Sequence, residues 1–448
     1  MTIKKVLIAN RSEIAVRIIR ACRDMGIISV AVYSTADADA LHTQIADEAI
    51  CIGPPRPADS YLNKERIISA ALAIGADAIH PGFGFLSENA EFARLCEQHG
   101  ICFIGPPADA IARMGDKIEA RRTVQEAGVP VIPGSDGAVD SYKQAETIAA
   151  RIGFPLMIKA CAGGGGRGIR QVDSMEELRR QYDAARAEAK VSFGDDRVYI
   201  EKCILSPRHV EFQILADAHG NAVHLFERDC SVQRKHQKLV EESPSTFIDD
   251  EMRREMGEMA VRAARAAGYV GAGTIEYLID EDRKFYFMEM NTRIQVEHPV
   301  TEMVTGVDIV REQIRIAAGE PLGYTQADIR LDGHAIECRI NAEDPERNFA
   351  PCPGTIHALH MPGGPGVRID SAVYQGYTIP PFYDSMIVKL IVHGKDRKTA
   401  IERMRRALAE CLVDGVTINA DYQMAIVSHP DFISGEYGTD FIERDLQL

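Results

Sequence analysis

Short apolar runs alternate with helical patterns through the first hundred residues, and this alternation constrains the fold more than any other feature. The apolar runs predict buried strands at Val6–Ala9, Ser29–Tyr33, Ala76–His80 and Cys102–Ile104. Helical patterns separate them at Ile14–Cys22, 61–74 and 88–99. Strands that alternate with helices form a parallel sheet. The sequence therefore predicts an α/β fold for this part of the chain.

Two polar loops follow predicted strands of this sheet. Asn10–Glu13 follows the first strand, and His80–Glu88 follows the third. Ligands of open α/β sheets bind at the carboxyl ends of the strands. Each loop by itself is more simply explained as a turn, so the two are only candidate site loops.

The pattern changes after a boundary near Gly115. A helix is predicted over 117–128, and a helical run at 174–190 lies between strands at Leu156–Lys159 and Val198–Glu201. From about residue 204 the sequence indicates strands and hairpins, with one helix near 250–267. A strand-rich region begins at His334–Asn341, and we expect it to close with a helix at about 397–411.

Charge and cysteine content limit the class of protein. The formal net charge of −15 does not suit a non-specific nucleic-acid binder, which needs a basic face. The 10 cysteines include no Cys-x-x-Cys pair, and free thiols in a reducing compartment are the simplest interpretation. No apolar run approaches the roughly 18 residues of a membrane span or resembles a signal peptide. We expect a cytoplasmic protein that binds neither membrane nor nucleic acid.

The glycine-rich segment Lys159–Gly168 is the most informative local feature. It contains four consecutive glycines and follows the predicted strand at Leu156–Lys159. Glycines allow backbone N–H groups to approach phosphate oxygens closely. No Gly-Lys-Ser/Thr follows the run, so the segment is not a Walker loop. The pattern favours a glycine-rich flap over a nucleotide, with a flexible linker as the alternative.

Two carboxylates lie on a predicted apolar hairpin formed by Gly273–Ile279 and Lys284–Asn291. Glu289 and Asn291 are two residues apart and share one strand face, which Glu276 can oppose. Buried carboxylates are costly without a counter-ion, and a hard cation shared with nucleotide phosphates removes that cost. We expect Mg²⁺ rather than Zn²⁺, because no His or Cys joins the cluster. A surface hairpin with polar edges is the alternative.

Arg293, Gln295 and Glu297 alternate directly after this hairpin. In an extended segment, alternate side chains point the same way. A guanidinium and an amide suit a small planar oxyanion such as bicarbonate. Glu297 would repel such an anion, which suggests that it has a chemical role as a proton acceptor. An Arg–Glu ion pair on a strand is the alternative.

A fourth segment, Arg228–Lys238, concentrates basic and amide side chains in a short span. A solvated basic loop would explain this segment if it stood alone. The neighbouring carboxylate and anion-binding patterns are what favour an anion site here.

Together these motifs resemble the biotin carboxylase family of the ATP-grasp superfamily, across essentially the whole chain. The run from Phe287 to Glu302 is the most specific match. The other matching motifs are Ile8–Ile14, His80–Asn89, Met114–Lys117, Lys159–Gly168, Glu227–Gln233 and Glu337–Asp344.

The resemblance implies a mixed α/β and α+β fold in three parts. An N-terminal Rossmann-like, pre-ATP-grasp domain would span 1–114. An ATP-grasp domain would span 115–317, with a mobile lid at about 131–203. A C-terminal biotin carboxylase domain would span 318–448.

The resemblance also implies roles for individual residues. The ATP-binding set would be Lys117, Lys159, Gly163, Gly164, Gly165, Gly166, Glu201, Lys202, Ile204, His209, Gln233, His236, Glu276 and Glu289. Mg²⁺ or Mn²⁺ would be held by Glu276, Glu289 and Asn291. Bicarbonate would be held by Lys238, Arg293, Gln295, the backbone of Val296 and Glu297, with Glu297 as the general base. Biotin would be bound by Arg339, which stabilises its enolate, and by Phe83.

The implied reaction has two stages. Deprotonated bicarbonate attacks the γ-phosphate of ATP, which gives carboxyphosphate and ADP. Carboxyphosphate then yields CO₂ and phosphate, the phosphate takes the N1 proton of biotin, and the ureido nitrogen captures CO₂. Metal ions and lysines would offset charge on the transferring phosphoryl group, and the lid would exclude water.

Three positions depart from common family residues. Ser12 stands where a glycine is common, Ala162 where some members have glycine, and Phe83 where some have tyrosine. None of these changes removes a catalytic group, so we expect activity to be retained.

The expected partners follow from the resemblance and from one absent motif. The sequence contains no Ala-Met-Lys-Met biotin-attachment motif, so we expect a separate biotin carboxyl carrier protein, separate carboxyltransferase subunits and a homodimer of this chain. The acetyl-CoA carboxylase subunit is the expected role, with a pyruvate, propionyl-CoA or 2-oxoglutarate carboxylase as the alternatives. Another ATP-grasp ligase that acts through an acyl phosphate, and a non-catalytic nucleotide-binding protein, are the rival classes.

Overall fold

A computed structural model describes residues 2–161 and 168–446, and the fold is mixed α/β and α+β, as expected. The strands of the first part are β1 (Lys5–Ile8), β2 (Ile28–Ser34), β3 (Glu48–Gly53), β4 (Ala78–His80) and β5 (Cys102–Phe103). Its helices are α1 (Ser12–Asp24), α2 (Leu41–Ile45), α3 (Lys64–Ile74), α4 (Ala90–Gln98) and α5 (Ala108–Gly115).

The N-terminal strands form a parallel sheet in the order β3-β2-β1-β4-β5. The centre strand β1 is apolar on both faces: Val6 and Ile8 pack with α1, and Leu7 packs with α3 and α4. Helices cover both faces, as parallel sheets require. The predicted parallel sheet is therefore confirmed. Strand β3 was not predicted, because most of its residues are exposed or half-buried and give no apolar run.

A small antiparallel sheet with two helices follows, within the predicted lid. Its elements, with the helix that precedes them, are α6 (Lys117–Glu126), α7 (Tyr142–Ile152), β6 (Leu156–Ala160), β7 (Ile169–Val172), α8 (Met175–Phe193) and β8 (Val198–Lys202). The strand order is β7-β6-β8, and α7 and α8 pack against its core. The predicted flap residues Gly163, Gly164, Gly165 and Gly166 lie outside the described residues, as does Ala162.

The next part is dominated by antiparallel strands. Its elements are β9 (Arg208–Ala216), β10 (Ala222–Arg234), β11 (Gln237–Ser243), α9 (Asp250–Ala266), β12 (Gly271–Ile279), β13 (Phe285–Asn291), α10 (His298–Thr305) and α11 (Ile309–Ala317). The predicted hairpin of β12 and β13 and the predicted helix near 250–267 are both present.

The C-terminal part continues the same sheet. Its elements are β14 (His334–Asn341), β15 (Glu343–Asp344), β16 (Ala350–Pro351), β17 (Ala358–His360), β18 (Val367–Ser371), β19 (Met386–Gly394), α12 (Arg397–Glu410), β20 (Leu412–Asp414), α13 (Ala420–Ser428), α14 (Pro430–Ser434) and α15 (Phe441–Asp445). The expectation that the helix near 397–411 closes this region was wrong. Three helices of five to nine residues follow it, too short to give a clear helical period.

One eight-stranded sheet joins strands β9 to β13 to strands of the C-terminal part, in the order β13-β12-β9-β10-β11-β14-β19-β18. The join is the antiparallel pairing of β11 with β14, in which Glu241 lies opposite Glu337. The predicted domain limits at 114/115 and 317/318 stay predictions, and hydrogen bonding within this sheet crosses the second limit.

The two faces of this sheet differ in chemistry. On one face, Phe212 and Ile275 pack on α9, while Ile336 and Leu390 pack on α12 and α13. Most of the alternate residues of the same strands are charged or polar, and these are buried or half-buried. We call this second set the polar face; its members are His209, Glu211, Lys238, Glu241, Glu276, Glu337, Arg339 and Lys389.

None of the helices in the described ranges 2–161 and 168–446 is long and apolar enough to span a bilayer.

Candidate active site

The two carboxylates of the β12–β13 hairpin lie directly opposite each other. Glu276 pairs with Glu289 in the antiparallel register, and Asn291 Nδ2 donates to Glu276 Oε1 at 2.7 Å. Burial raises the pKa of Glu289, and the neighbouring Glu276 charge adds to this while Lys117 opposes it. Two facing acidic groups with too little positive charge around Glu289 are the arrangement that a bound cation would relieve. The oxygen donors present therefore fit a divalent cation.

The donor set also includes a histidine, contrary to expectation. His209 Nε2 lies 3.0 Å from Glu276 Oε2, and ligand atoms of His209, Glu211 and Glu276 lie within 4.8 Å of one another. The prediction that no His joins the carboxylates was wrong, because His209 reaches them through the pairing of β9 with β12. The preference for Mg²⁺ over Zn²⁺ therefore rests on the oxygen donors alone.

His209 is held in place from its other ring nitrogen. Gln233 Nε2 lies 2.6 Å from His209 Nδ1 and also donates to the carbonyl of Cys230 at 2.7 Å. The structure thus brings together Gln233, His209 and Glu276, three of the predicted ATP-binding residues, in one buried chain of contacts.

Lys238 lies at the centre of the acidic residues. Its Nζ donates to Glu211 Oε2 at 2.6 Å, to Glu297 Oε1 at 2.6 Å and to Glu276 Oε1 at 3.1 Å. Burial alone would lower the pKa of Lys238, but Cys230 and the surrounding carboxylates outweigh it and hold that pKa well above its ordinary value. Lys238 is therefore a fixed positive charge, suited to hold an anion and unsuited to act as a base.

The segment after β13 is a bend and a turn rather than the extended strand expected from alternation. The side chains nevertheless converge. Arg293 Nη1 donates to Gln295 Oε1 at 2.9 Å, and Gln295 Nε2 donates to Glu276 Oε1 at 3.0 Å. We call residues 292–297 the catalytic turn; it ends where α10 begins at His298.

Glu297 is fully buried between two cations. One oxygen accepts from Lys238, and the other accepts from Arg339 Nη2 at 3.1 Å. Burial alone would raise the pKa of Glu297, but Lys238, Arg339 and Arg228 hold it well below its ordinary value. The side chain is therefore an ionised carboxylate that faces Lys238 and Arg339, with no need to be deprotonated before it can accept a proton.

Arg339 links Glu297 to a second buried acid. Its Nε donates to Glu241 Oε1 at 2.6 Å. Burial raises the pKa of Glu241 to about 7, although Arg339 opposes that rise. The predicted biotin residue Phe83 lies in the loop after β4, half-buried against the N-terminal core, and its carbonyl accepts from Asn10 Nδ2 at 2.7 Å.

Two lysines approach the carboxylates from other elements. Lys159, in β6, forms an ion pair with Glu201 of β8. Lys117 is the first residue of α6; burial lowers its pKa, with Glu289 opposing and Lys159 adding to the effect. The predicted ATP residues Lys117, Lys159, Glu201 and Glu289 are thus close enough to influence one another's charge.

The remaining predicted nucleotide residues lie at less enclosed positions. Lys202 ends β8, and its Nζ donates to the carbonyl of Phe154 at 2.7 Å. Ile204 is half-buried just after that strand, and His236 is exposed in the turn between β10 and β11.

The carbonyl of Val296, a residue predicted to bind bicarbonate, accepts a hydrogen bond from Lys389, which sequence reasoning did not anticipate.

Sequence reasoning missed several charged residues of this site. Glu88 Oε2 lies 3.0 Å from Arg293 Nε, and its other oxygen accepts from the Thr292 amide. Arg228 donates from Nε to Glu211 Oε1 at 2.5 Å and is itself fully buried. Glu88 and Arg228 stood inside motifs noted in the sequence. Glu211 did not; it is the only acid in β9, where polar and apolar residues alternate.

Models of known families match three stretches of the chain. Residues 2–111 match the biotin carboxylase N-terminal domain, and 337–444 match the biotin carboxylase C-terminal domain. Residues 116–325 match the ATP-binding domain of the carbamoyl-phosphate synthase L chain. The fold and the site together define an ATP-dependent ligase.

Comparison with individual proteins identifies the family to which this ligase belongs. The chain is 58% identical over 444 residues to a biotin carboxylase of Nostoc, covering 99% of each chain. A crystal structure of a Campylobacter jejuni biotin carboxylase–β,γ-ATP complex matches with a TM-score of 0.96 and 49% identity over 99% of each chain. This chain therefore belongs to the biotin carboxylase family.

A second similar structure is named as part of a 2-oxoglutarate carboxylase. It is the biotin carboxylase domain dimer of Hydrogenobacter thermophilus 2-oxoglutarate carboxylase, in complex with MgADP, ADP and bicarbonate. The TM-score is 0.94 and the identity 52%, covering 99% of this chain and 98% of that one. Likeness at this level therefore does not by itself identify the final acceptor.

Proposed function

We propose that this enzyme carboxylates N1 of biotin on a biotin carboxyl carrier protein, using ATP and bicarbonate. The observation that carries the proposal is the ionised, buried Glu297 held between Lys238 and Arg339, beside the facing carboxylates Glu276 and Glu289. A base, two cations and a cation-binding pair in one cluster are what this reaction requires.

ATP would bind between the small sheet β7-β6-β8 and the strands β9 to β13. Lys117 and Lys159 would contact its phosphates, and Glu201, Lys202 and Ile204 would line the adenine site. His209, Gln233 and His236 would lie near the nucleotide. Mg²⁺ or Mn²⁺ bound to Glu276, Glu289 and Asn291 would neutralise phosphate oxygens.

Bicarbonate would bind against the catalytic turn. Lys238, Arg293 and Gln295 supply donors, and the backbone of Val296 completes the site. Glu297 would take the bicarbonate proton, so that a carbonate oxygen attacks the γ-phosphorus while the bond to the bridging oxygen of ADP breaks. The products of this step are carboxyphosphate and ADP, and the proton stays on Glu297.

Biotin would be activated beside Arg339. Carboxyphosphate breaks into CO₂ and phosphate, and the phosphate accepts the N1 proton of biotin. The guanidinium of Arg339 stabilises the negative ureido oxygen that this leaves, because it is a permanent cation. The N1 lone pair then forms a bond to the carbon of CO₂, with Phe83 near the ring.

For the final acceptor we propose acetyl-CoA, so that the chain is the biotin carboxylase subunit of an acetyl-CoA carboxylase that works with carboxyltransferase subunits in the cytoplasm. The curated Nostoc relative, at 58% identity, carries the plain name biotin carboxylase. The same half-reaction in a pyruvate, propionyl-CoA or 2-oxoglutarate carboxylase is the alternative, favoured by the 2-oxoglutarate carboxylase match. That neighbour's dimer supports a homodimer here.

The test is ADP release by the purified chain with free biotin, in the presence and absence of bicarbonate. We expect release that requires both compounds together. Release that ignores bicarbonate would instead indicate an ATP-grasp ligase for another acid, and no release at all would favour a non-catalytic nucleotide-binding protein.

The Arg339→Ala variant tests the biotin site separately. We expect it to bind ATP·Mg like the wild type while carboxylation of biotin falls about 10²–10³-fold, as after loss of one oxyanion donor. Unchanged carboxylation would remove Arg339 from the mechanism.

A further inference from the structure

Lys389 is a fully buried lysine that the reaction described above does not use. It lies in β19 directly opposite Arg339 of β14 and on the same face of the sheet. Whereas Arg339 reaches the side chain of Glu297, Lys389 Nζ donates to the carbonyl of Val296 at 2.9 Å. Two cross-strand neighbours therefore hold two consecutive residues of the catalytic turn.

The catalytic turn needs such support. Residues 292–297 belong to no helix or strand, so tertiary contacts must fix their conformation. The turn bears Arg293, Gln295 and Glu297, whose separation has to match one small anion. A displacement of about 1 Å at such a site can lower a rate about 100-fold.

Lys389 is itself held from the N-terminal part of the molecule. Its Nζ lies 3.2 Å from Glu13 Oε2, and Glu13 is the second residue of α1. Asp370, opposite Lys389 on β18, lies 3.9 Å away but is also bound twice by Arg368. Glu13 is therefore the nearest carboxylate to the lysine, and it comes from the candidate loop Asn10–Glu13 that the reaction left unexplained.

The cost of burial argues that this lysine has a purpose. A buried ammonium is expensive unless it is paired, and replacing it with an apolar side chain is often neutral or stabilising. Glu337, two residues from Arg339, is also buried on this face, and its carboxyl has no hydrogen-bond partner within the described ranges. The face thus retains buried polar groups that tight packing alone does not require.

We propose that Lys389 is a positioning residue: its ammonium, anchored by Glu13, fixes the Val296 carbonyl and so sets the placement of Glu297 for bicarbonate. The inference rests on the proposed function for its kinetic consequence, but not for its structural one. The N-terminal segment thereby contributes to the bicarbonate site through α1, without touching any substrate.

The first test is kinetic. We expect Lys389→Met to lower kcat for bicarbonate- and biotin-dependent ADP release about 100-fold and to leave KM for ATP·Mg within about twofold of wild type. A merely destabilised protein would lose active fraction without raising KM for bicarbonate, and we expect that constant to rise. The matched control is Lys395→Met, which removes an exposed lysine just beyond β19 and should keep wild-type kinetics.

A milder variant guards against failure to fold. Glu13→Gln keeps the size of the side chain but removes the charge that anchors Lys389, and we expect about a tenfold lower kcat. If Lys389→Met does not fold, the kcat of Glu13→Gln tests the inference by itself. A kcat of Glu13→Gln within twofold of the wild-type value would overturn it. If both variants fold with wild-type kcat, it is equally overturned.

Hydrogen exchange separates this inference from the proposed function. Backbone amides of residues 292–298 should exchange faster in Lys389→Met and in Glu13→Gln than in wild type, while those of β1 should not change. If the wild type releases no ADP, the proposed function fails and this measurement alone decides. If the amides of residues 292–298 then exchange at the wild-type rate in both variants, Lys389 has no positioning role.

Discussion

The N-terminal parallel sheet and the polar face of the eight-stranded sheet both lie largely inside the molecule, but they are built from opposite kinds of residue. Strand β1 places Val6, Leu7 and Ile8 between two layers of helices. The polar face instead places Glu211, Lys238 and Glu276 where the other strands have apolar residues. Burial of apolar groups stabilises a fold without further conditions, whereas buried charges are tolerated only when paired.

This difference separates the residues that stabilise the fold from the residues that carry out the chemical step. A change in the N-terminal sheet should act on the free energy of unfolding and spare the chemical step. A change on the polar face should act on the chemical step, and its effect on the free energy of unfolding should depend on whether it leaves a buried charge without a partner.

The sharpest test of the polar face is Glu297→Gln. We expect biotin carboxylation to fall about 10²–10⁴-fold, because the amide cannot accept the bicarbonate proton. Binding of ATP·Mg, measured by calorimetry, should stay within about twofold of wild type. Glu402→Gln, an exposed position on α12, is the matched control. Turnover like that of wild type would exclude Glu297 as the base.

The corresponding test of the N-terminal sheet is Leu7→Ala. Removing this fully buried side chain should cost about 2–5 kcal/mol, because it leaves a cavity between the sheet and its helices. Thermal unfolding should therefore begin at a lower temperature, while kcat measured well below that temperature should change by less than twofold. A large loss of kcat in a folded Leu7→Ala variant would show that the N-terminal sheet also acts on the chemical step, contrary to the expected separation of the two regions.

Glu241 tests the polar face through pH. Its folded-state pKa of about 7 exceeds the ordinary value of 4.5, so the folded protein binds the proton more tightly. Its contribution to stability is complete below pH 4.5 and is lost as the pH rises through about 7. Glu241→Gln cannot titrate, so its stability relative to wild type should improve by about 1–3 kcal/mol between pH 5 and pH 8.

The check is the thermal midpoint of both proteins at intervals of one pH unit, with Glu402→Gln as the exposed control. A constant difference between wild type and Glu241→Gln across this range would contradict the raised pKa.

The smallest effect is expected at Ser12, at the start of α1. Its φ of 60° lies in the left-handed region, which an L side chain adopts at a cost that glycine avoids. Ser12→Gly should therefore stabilise the protein by about 0.5–1 kcal/mol, after allowing for the greater freedom of glycine when unfolded. Ser12→Ala keeps the Cβ atom and should bring no such gain; equal midpoints for the two variants would contradict the strain.

Much of the fold was predictable from local pattern. The apolar runs of β1, β2 and β4 and the hairpin of β12 and β13 were found because each is a continuous buried stretch. Strand β3 was missed since it lies at a sheet edge and is largely exposed. The short C-terminal helices were missed because five residues are too few for a helical period.

The candidate site was predictable where its residues lie in one segment. Glu276, Glu289 and Asn291 share a hairpin, and Arg293 to Glu297 follow it directly. His209 and Glu276 are 67 positions apart in the sequence, and no local pattern predicts that their side chains are in contact. The catalytic turn was also misjudged as extended, because alternation of side chains does not distinguish a strand from a turn that ends in a helix.

Local patterns were enough to predict most of the elements and the motifs that bear the chemistry, because strand and helix periods and the acidic, basic and glycine patterns are local properties. Tertiary structure alone decided which buried charges face one another. Strands distant in sequence pair in one sheet, and only that pairing brings Lys238 between Glu211 and Glu297 and sets Lys389 beside Arg339. Electrostatic interactions depend on distance through space, which the order of residues along a chain does not give.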